Sequence, residues 1–171
     1  MTIKGIKYTG PILDNSGYAR ACRGNILALH DAGVPLTLNP ISFEKLRPDL
    51  GADGEVIHSL INKPIEYDYN IIHTTPEFWE KYKEPGVKNC GYTIWETTKL
   101  HPDWPKYINN SVLKVLVGCE WNRSVFKDSG VTVPIGVVPH GISKSEYVDI
   151  ENYNIAGVDK NDFMFYSIFQ W

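Results

Sequence analysis

Cysteine is scarce in this 171-residue chain and badly placed for cross-linking: Cys22, Cys90 and Cys119 are an odd number, widely spaced, with no CxxC pair. A disulfide framework and a zinc ribbon are thereby disfavoured, and reduced, buried thiols are the expectation. No pair of His or Cys has metal-ligand spacing, and GxSxG, HExxH and a Cys/His nucleophile pair are all missing, so no metal site is expected. Neither GxGxxG nor GxxxxGKS/T occurs, which disfavours NAD and removes a P-loop. Seventeen Lys and Arg against twenty Asp and Glu leave a net charge of -3 without a basic cluster. Nucleic acid and anionic membranes therefore have no electrostatic support as partners. There is no run long enough to span a bilayer, and MTIKGIKYTG lacks the apolar core of a signal peptide, so a cytoplasmic protein is expected. No internal repeat or low-complexity segment is visible.

What is present suits one soluble globular domain, or one domain and a piece of another: 43% of residues are hydrophobic and 22% charged. Five Trp and ten Tyr are generous. Such aromatics often line carbohydrate or partner surfaces, although core packing with wetted edges is the simpler reading for most.

The pattern predicts strands at Ile3–Thr9, Val34–Leu38, Tyr69–His73, Cys90–Trp95, Leu113–Val117 and Ile135–Val138. Helices are predicted over Tyr18–Ala32, Glu55–Asn62 (stopped by Pro64), Pro76–Tyr82, from the His101–Pro105 start, and over Trp121–Asp128; Phe43–Gly54 reads as a surface loop. Strand, Gly-containing loop, helix, strand opens a doubly wound α/β fold: a Rossmann-like parallel sheet of about six strands flanked by helices. The stretch Val112–Ser143 is a second such unit. The domain is expected to span 1–143, followed by a polar, acidic linker at 144–162. FMFYSIFQW, at 163–171, reads as a buried strand that opens a second, missing domain.

Ligands of an open parallel sheet bind beyond the carboxyl ends of its strands. That rule selects Gly10–Arg20, His73-Thr74-Thr75, Glu96 with Trp95, Glu120 with Asn122, and Pro139-His140-Gly141. Gly17, at the start of the first helix, would let a phosphate or sugar approach free N–H groups. A capped helix start, with Asp14, Asn15 or Ser16 as cap, explains the same residues equally well. Arg20 either reaches a phosphate or lies on the solvated face. Glu96 could bind sugar hydroxyls or act as a base, while a capping or solvated glutamate is the simpler reading of its spacing. His140, fixed between Pro139 and Gly141, is the histidine best placed for function, with His73 second; His30, His58 and His101 fall in helices or at a helix start.

GYTIWETTKLHPDWPKYINNSVLKVLVGCEWNRSVFKDSGVTVPIGVVPHGIS resembles the second half of the N-terminal domain of family-4-like, GT-B glycosyltransferases, in its "WE", its Pro/Trp helix start and its "VPHG" loop. GPILDNSGYARACRGNILALHDAGVPLTL resembles that family's opening, and FMFYSIFQW the first strand of its C-terminal domain. The resemblance implies two facing Rossmann-like domains with a cleft between them, the N-terminal one holding the acceptor and the other the nucleotide sugar. It implies a retaining, metal-independent transfer without an enzymic nucleophile. No cofactor is implied; the nucleotide sugar is a substrate. Carried over, Glu96 and His140 would face the cleft as catalytic residues, and Gly17, Tyr18, Arg20 and Gly141 would lie by the donor phosphates or sugar. His73, Thr74, Trp95, Glu120 and Asn122 would hold the acceptor. With the C-terminal domain and its paired glutamates missing, the chain is expected to be inactive alone. Two other readings compete. One is a non-catalytic glycan- or nucleotide-binding module, self-associating or pairing with a partner chain through 163–169. The other is half of a sugar-nucleotide epimerase.

Overall fold

The computed structural model describes residues 3–44, 48–141 and 159. The expected strand at 163–171 lies outside the described residues, as does the expected linker at 144–162 apart from Asp159. Six strands form one all-parallel sheet: β1 (Ile6–Gly10), β2 (Leu36–Pro40), β3 (Tyr69–His73), β4 (Lys88–Tyr92), β5 (Lys114–Val117) and β6 (Ile135–Val137). Five helices flank it: α1 (Gly17–Asp31), α2 (Gly51–Leu60), α3 (Trp79–Tyr82) led in by a 3-10 turn at Pro76–Phe78, α4 (Trp104–Ser111) and α5 (Glu120–Asp128). This is the α/β, Rossmann-like domain that the alternation of apolar runs and capped helices predicts. Among the described residues no helix is long and apolar enough to cross a membrane.

Side chains two apart on a strand share a face, and the parallel register carries that choice across the sheet. Ile6, Tyr8, Leu36, Leu38 and Ile71 form one core with Cys22 and Ile26 of α1 and Ile57 and Leu60 of α2. Ile72, Val115 and Val117 form the other with Trp79, Trp104, Ile108, Val125 and Phe126. Between Ile72 and Val115 the register places Gly91, and a Cβ there would collide with the Trp79 ring. The indole therefore sits on bare backbone, fully buried, with its Nε1–H donating to the Thr74 carbonyl at 3.0 Å. Truncating such a buried tryptophan costs about 3–5 kcal/mol, so Trp79 anchors the chain as it leaves β3.

Three expectations need correction. β4 ends at Tyr92, not Trp95: Ile94 N–H turns to the Tyr18 hydroxyl, and the Trp95 indole donates to the Lys99 carbonyl within its own loop. Glu96 consequently lies four residues beyond the strand rather than at its tip. α2 begins at Gly51 and takes in part of the expected Phe43–Gly54 loop, and its later residues Ile57 and Leu60 pack in the core with Leu36 and Leu38 of β2. That helix stops at Leu60, well before Pro64, as Ile61 bridges Leu38 and Asn62 turns with φ 52°.

The sheet order β2-β1-β3-β4-β5-β6 reverses direction between β1 and β3. At such a switch point the connections leave on opposite sides, and a crevice opens at the carboxyl ends of the two strands. Here those ends are Gly10 and His73.

Candidate functional site

The loop from Gly10 to Ser16 is held from three sides. Gly10 packs so closely on β3 that a Cβ would lie 3.0 Å from the His73 carbonyl oxygen and 2.8 Å from the Cys22 sulfur. Arg23 of α1 reaches back, its Nη1 donating to the carbonyls of Ile12 at 2.8 Å and Asp14 at 3.0 Å. The Asp14 carboxylate, fully buried, accepts the Ser42 hydroxyl at 2.9 Å and the Phe43 N–H at 2.7 Å, and so ties this loop to the one after β2. Of the three candidate caps, Ser16 is the one used: its Oγ accepts from Ala19 N–H at 3.2 Å. Gly17 follows with open space around it.

Between these loops lies a cavity of about 260 Å³ lined by Tyr18, Phe43, Phe78, Ser16, Thr74 and Thr75, with Pro11 and Glu44. The Phe43 and Phe78 rings stand 5.3 Å apart on one side of it. Aromatic faces beside hydroxyl groups suit a ligand that is itself part apolar face and part hydroxyl.

Beyond the cavity, rings run along the carboxyl edge of the sheet. Tyr18 lies 5.5 Å from His73, His73 lies 4.3 Å from Tyr92, and Tyr92 lies 6.0 Å from His140, centroid to centroid. The Tyr18 hydroxyl pairs with Thr93 Oγ1 at 2.9 Å, and the Tyr92 hydroxyl donates to the Val138 carbonyl at 2.6 Å. Burial holds both phenols protonated, pushing Tyr92 up to about 12. His73 is fully buried; burial, and then the nearby His140, lower its pKa to about 3, so the ring is neutral. Its Nδ1 bonds the Tyr8 hydroxyl at 2.7 Å, while its Nε2 has no partner among the described residues. His140 is exposed, and burial of part of its ring lowers its pKa as well.

Five of the residues singled out from sequence come together here: Tyr18, His73, Thr74, His140 and Gly141. Gly17 opens α1 next to them, and Arg20 is exposed on the same helix. A second group gathers at the ends of β4 and β5. Asn122, buried in α5, donates to the Trp95 carbonyl at 2.6 Å, and Trp95 packs on Trp104 at 4.5 Å. Asn122 and the Trp95–Trp104 ring pair therefore brace the loop that carries Glu96, which is itself exposed. Glu120 is exposed and pairs with Arg123 at 2.8 Å, one helical turn on. Gly118 links the two groups, since a Cβ there would touch both Ile94 and His140.

Sequence reasoning missed Tyr8, Asn25, Phe43, Phe78 and the tethering role of Asp14. Only Asn25 left a signal: it occupies the apolar stripe of α1 between Cys22 and Ile26, where a polar side chain needs a buried partner. No family model and no curated protein sequence matches the chain. Its chemistry has to be read from this geometry.

Proposed function

We propose that the chain is the acceptor-side, N-terminal domain of a retaining, metal-independent glycosyltransferase, which moves a sugar from a nucleotide-sugar donor to an acceptor hydroxyl in the cytoplasm. The observation that carries the reading is the line of rings Tyr18–His73–Tyr92–His140 along the carboxyl edge, beside an aromatic, hydroxyl-lined cavity at the switch point. Sugars offer the matching surface, with C–H faces for the rings and hydroxyls for Thr74 and Ser16. The start of α1 adds backbone N–H groups at Gly17, unobstructed by a side chain and at the positive end of the helix dipole, where a diphosphate is stabilised.

On this reading the C1–O bond to the diphosphate breaks while the acceptor oxygen bonds C1 on the same face. The acceptor proton passes to the departing phosphate. The domain's part is to orient the acceptor and to place neutral donors around the sugar. His140, exposed at the edge, would contact the transferred sugar, and Glu96, two residues past Ile94, would face the same cleft. The nucleotide is assigned to a second domain facing this edge.

The test combines binding with turnover. Amide spectra of the chain, titrated with nucleotide sugars and saccharides, are expected to shift at Tyr18, Thr74 and His140. Release of nucleoside diphosphate is expected only with the nucleotide-binding domain supplied, and His140→Ala should then reduce it on the order of 10²-fold. A chain whose site resonances respond to none of these ligands would overturn the proposal. Binding without turnover in the two-domain form would favour a non-catalytic module instead.

A further inference from the structure

One run of hydrogen bonds crosses the core from the loop after β6 to the end of β3. Gly141 N–H donates to Asn25 Oδ1 at 3.2 Å, Asn25 Nδ2 donates to the Tyr8 hydroxyl at 3.2 Å, and Tyr8 meets His73 Nδ1 at 2.7 Å. Its donors are set by the fixed direction of the backbone amide and by the need of each buried proton for an acceptor. A backbone amide can only donate, so Asn25 must present its oxygen to Gly141 and its NH₂ to Tyr8. The Tyr8 oxygen accepts that bond, and the acceptor within reach of its buried proton among the described residues is His73 Nδ1. A neutral imidazole that accepts at Nδ1 carries its hydrogen on Nε2.

That Nε2–H is buried and has no partner among the described residues. A buried donor without an acceptor costs about 1–3 kcal/mol, so an ordered water or a ligand atom is needed to complete it. The ring lies between Tyr18, which also lines the switch-point cavity, and Tyr92, which touches His140. At the other end of the run, Gly141 adjoins His140, and its backbone presses on that of Gly24 in the same helix turn as Asn25. Asn25 thus grips both the loop that carries His140 and, through Tyr8, the ring of His73.

We propose that Asn25 is a positioning residue, which joins the His140–Gly141 loop to His73 and sets the His73 tautomer, leaving Nε2–H as a fixed hydrogen-bond donor beneath the switch point. The ligand atom it selects is an acceptor oxygen, such as a sugar hydroxyl; a group that can only donate is excluded. The identity of that ligand as a sugar rests on the reading given above, but the tautomer does not.

Imidazole nitrogen–proton correlation spectra of the ¹⁵N-labelled chain test it directly, with His73 assigned by its loss in His73→Asn. In the wild type the Nε2–H form is expected to dominate by about tenfold, the ratio that one net hydrogen bond supports. Tyr8→Phe removes only the hydroxyl and should lower that ratio towards the one a free neutral histidine shows. Asn25→Ala should do so in part and move the Gly141 amide resonance. A wild-type ring protonated on Nδ1, or Tyr8→Phe and Asn25→Ala spectra that match the wild type, overturns the relay. Titration with saccharides and nucleotide sugars separates the two claims. A biased His73 that no such ligand shifts sustains the relay and counts against sugar transfer.

Discussion

Gly24 and Gly141 meet backbone to backbone: a Cβ built on Gly24 would lie 2.5 Å from the Gly141 carbonyl oxygen, and one built on Gly141 would lie 2.6 Å from that of Gly24. Helix α1 and the loop after β6 are thereby locked at a distance that only glycine permits. Gly24→Ala sets two effects against each other. Alanine gains about 1 kcal/mol of helix propensity inside α1, but its methyl group has to displace a backbone segment, with overpacking costs of about 1–3 kcal/mol. The contact is with backbone and not with the end of a flexible side chain, so the second effect should win. Urea unfolding is expected to show net destabilisation, with a moved Gly141 amide resonance; a stabilised Gly24→Ala protein would contradict the lock.

Gly17 is the opposite case. It has nothing within 4 Å of its missing Cβ and no positive φ. Gly17→Ala should therefore raise stability by about 0.5 kcal/mol, chiefly by restricting the unfolded chain. If the start of α1 receives a phosphate, the same methyl group crowds it, and affinity for a nucleotide diphosphate should fall while thermal stability rises. Parallel melting and titration would show the two changes in opposite directions; unchanged affinity would remove Gly17 from the site.

The location of the candidate site was legible because it follows from where apolar runs stop. Tyr69–His73 was read to the residue, and the strand-end rule led from it to His73 and Thr74. The fourth strand was overextended because CGYTIW stays apolar after the sheet has lost its partner. What ends it is a tertiary event, the capture of Trp95 by Trp104 and of Ile94 by Tyr18. The ring line could not be read from local pattern, since Tyr18, His73, Tyr92 and His140 come from four separate parts of the chain. Asp14 was visible only as one of three possible caps; its partners Ser42 and Phe43 lie across β2, beyond any local rule.

The buried His73 makes stability depend on pH with a definite sign. Its folded pKa, lowered to about 3, lies below the ordinary histidine value of 6.5, so the unfolded chain binds a proton that the folded chain refuses. The groups around it reinforce this: Tyr8, Tyr18 and Tyr92 are uncharged, and His140 adds positive charge when protonated. Stability is full above about pH 6.5 and falls as pH drops towards 3, by about 1.4 kcal/mol per pH unit for one proton. Urea midpoints at pH 7, 6, 5 and 4 should show that slope, and His73→Asn should flatten it. A wild-type slope that persists unchanged in His73→Asn would place the titrating group elsewhere.

Asp14 tests whether the cavity depends on the tether beneath it. Its carboxylate, at 0% exposure, accepts from Ser42 and from the Phe43 amide, and Phe43 forms one aromatic wall. Hydrogen bonds to a charged acceptor contribute about 1.5–3 kcal/mol, and Asp14→Ala removes the acceptor while leaving the Phe43 N–H in place. The expected result is a loss of about 2 kcal/mol on unfolding, with faster hydrogen exchange at the Phe43 amide. Phe43 is exposed, at 55%, and its ring packs on Phe78 above the backbone amide that Asp14 holds. Ligand affinity should then fall by more in Asp14→Ala than in Asn15→Ala, whose side chain takes no part in the tether. Unchanged exchange at Phe43 in Asp14→Ala would show that the wall stands without it.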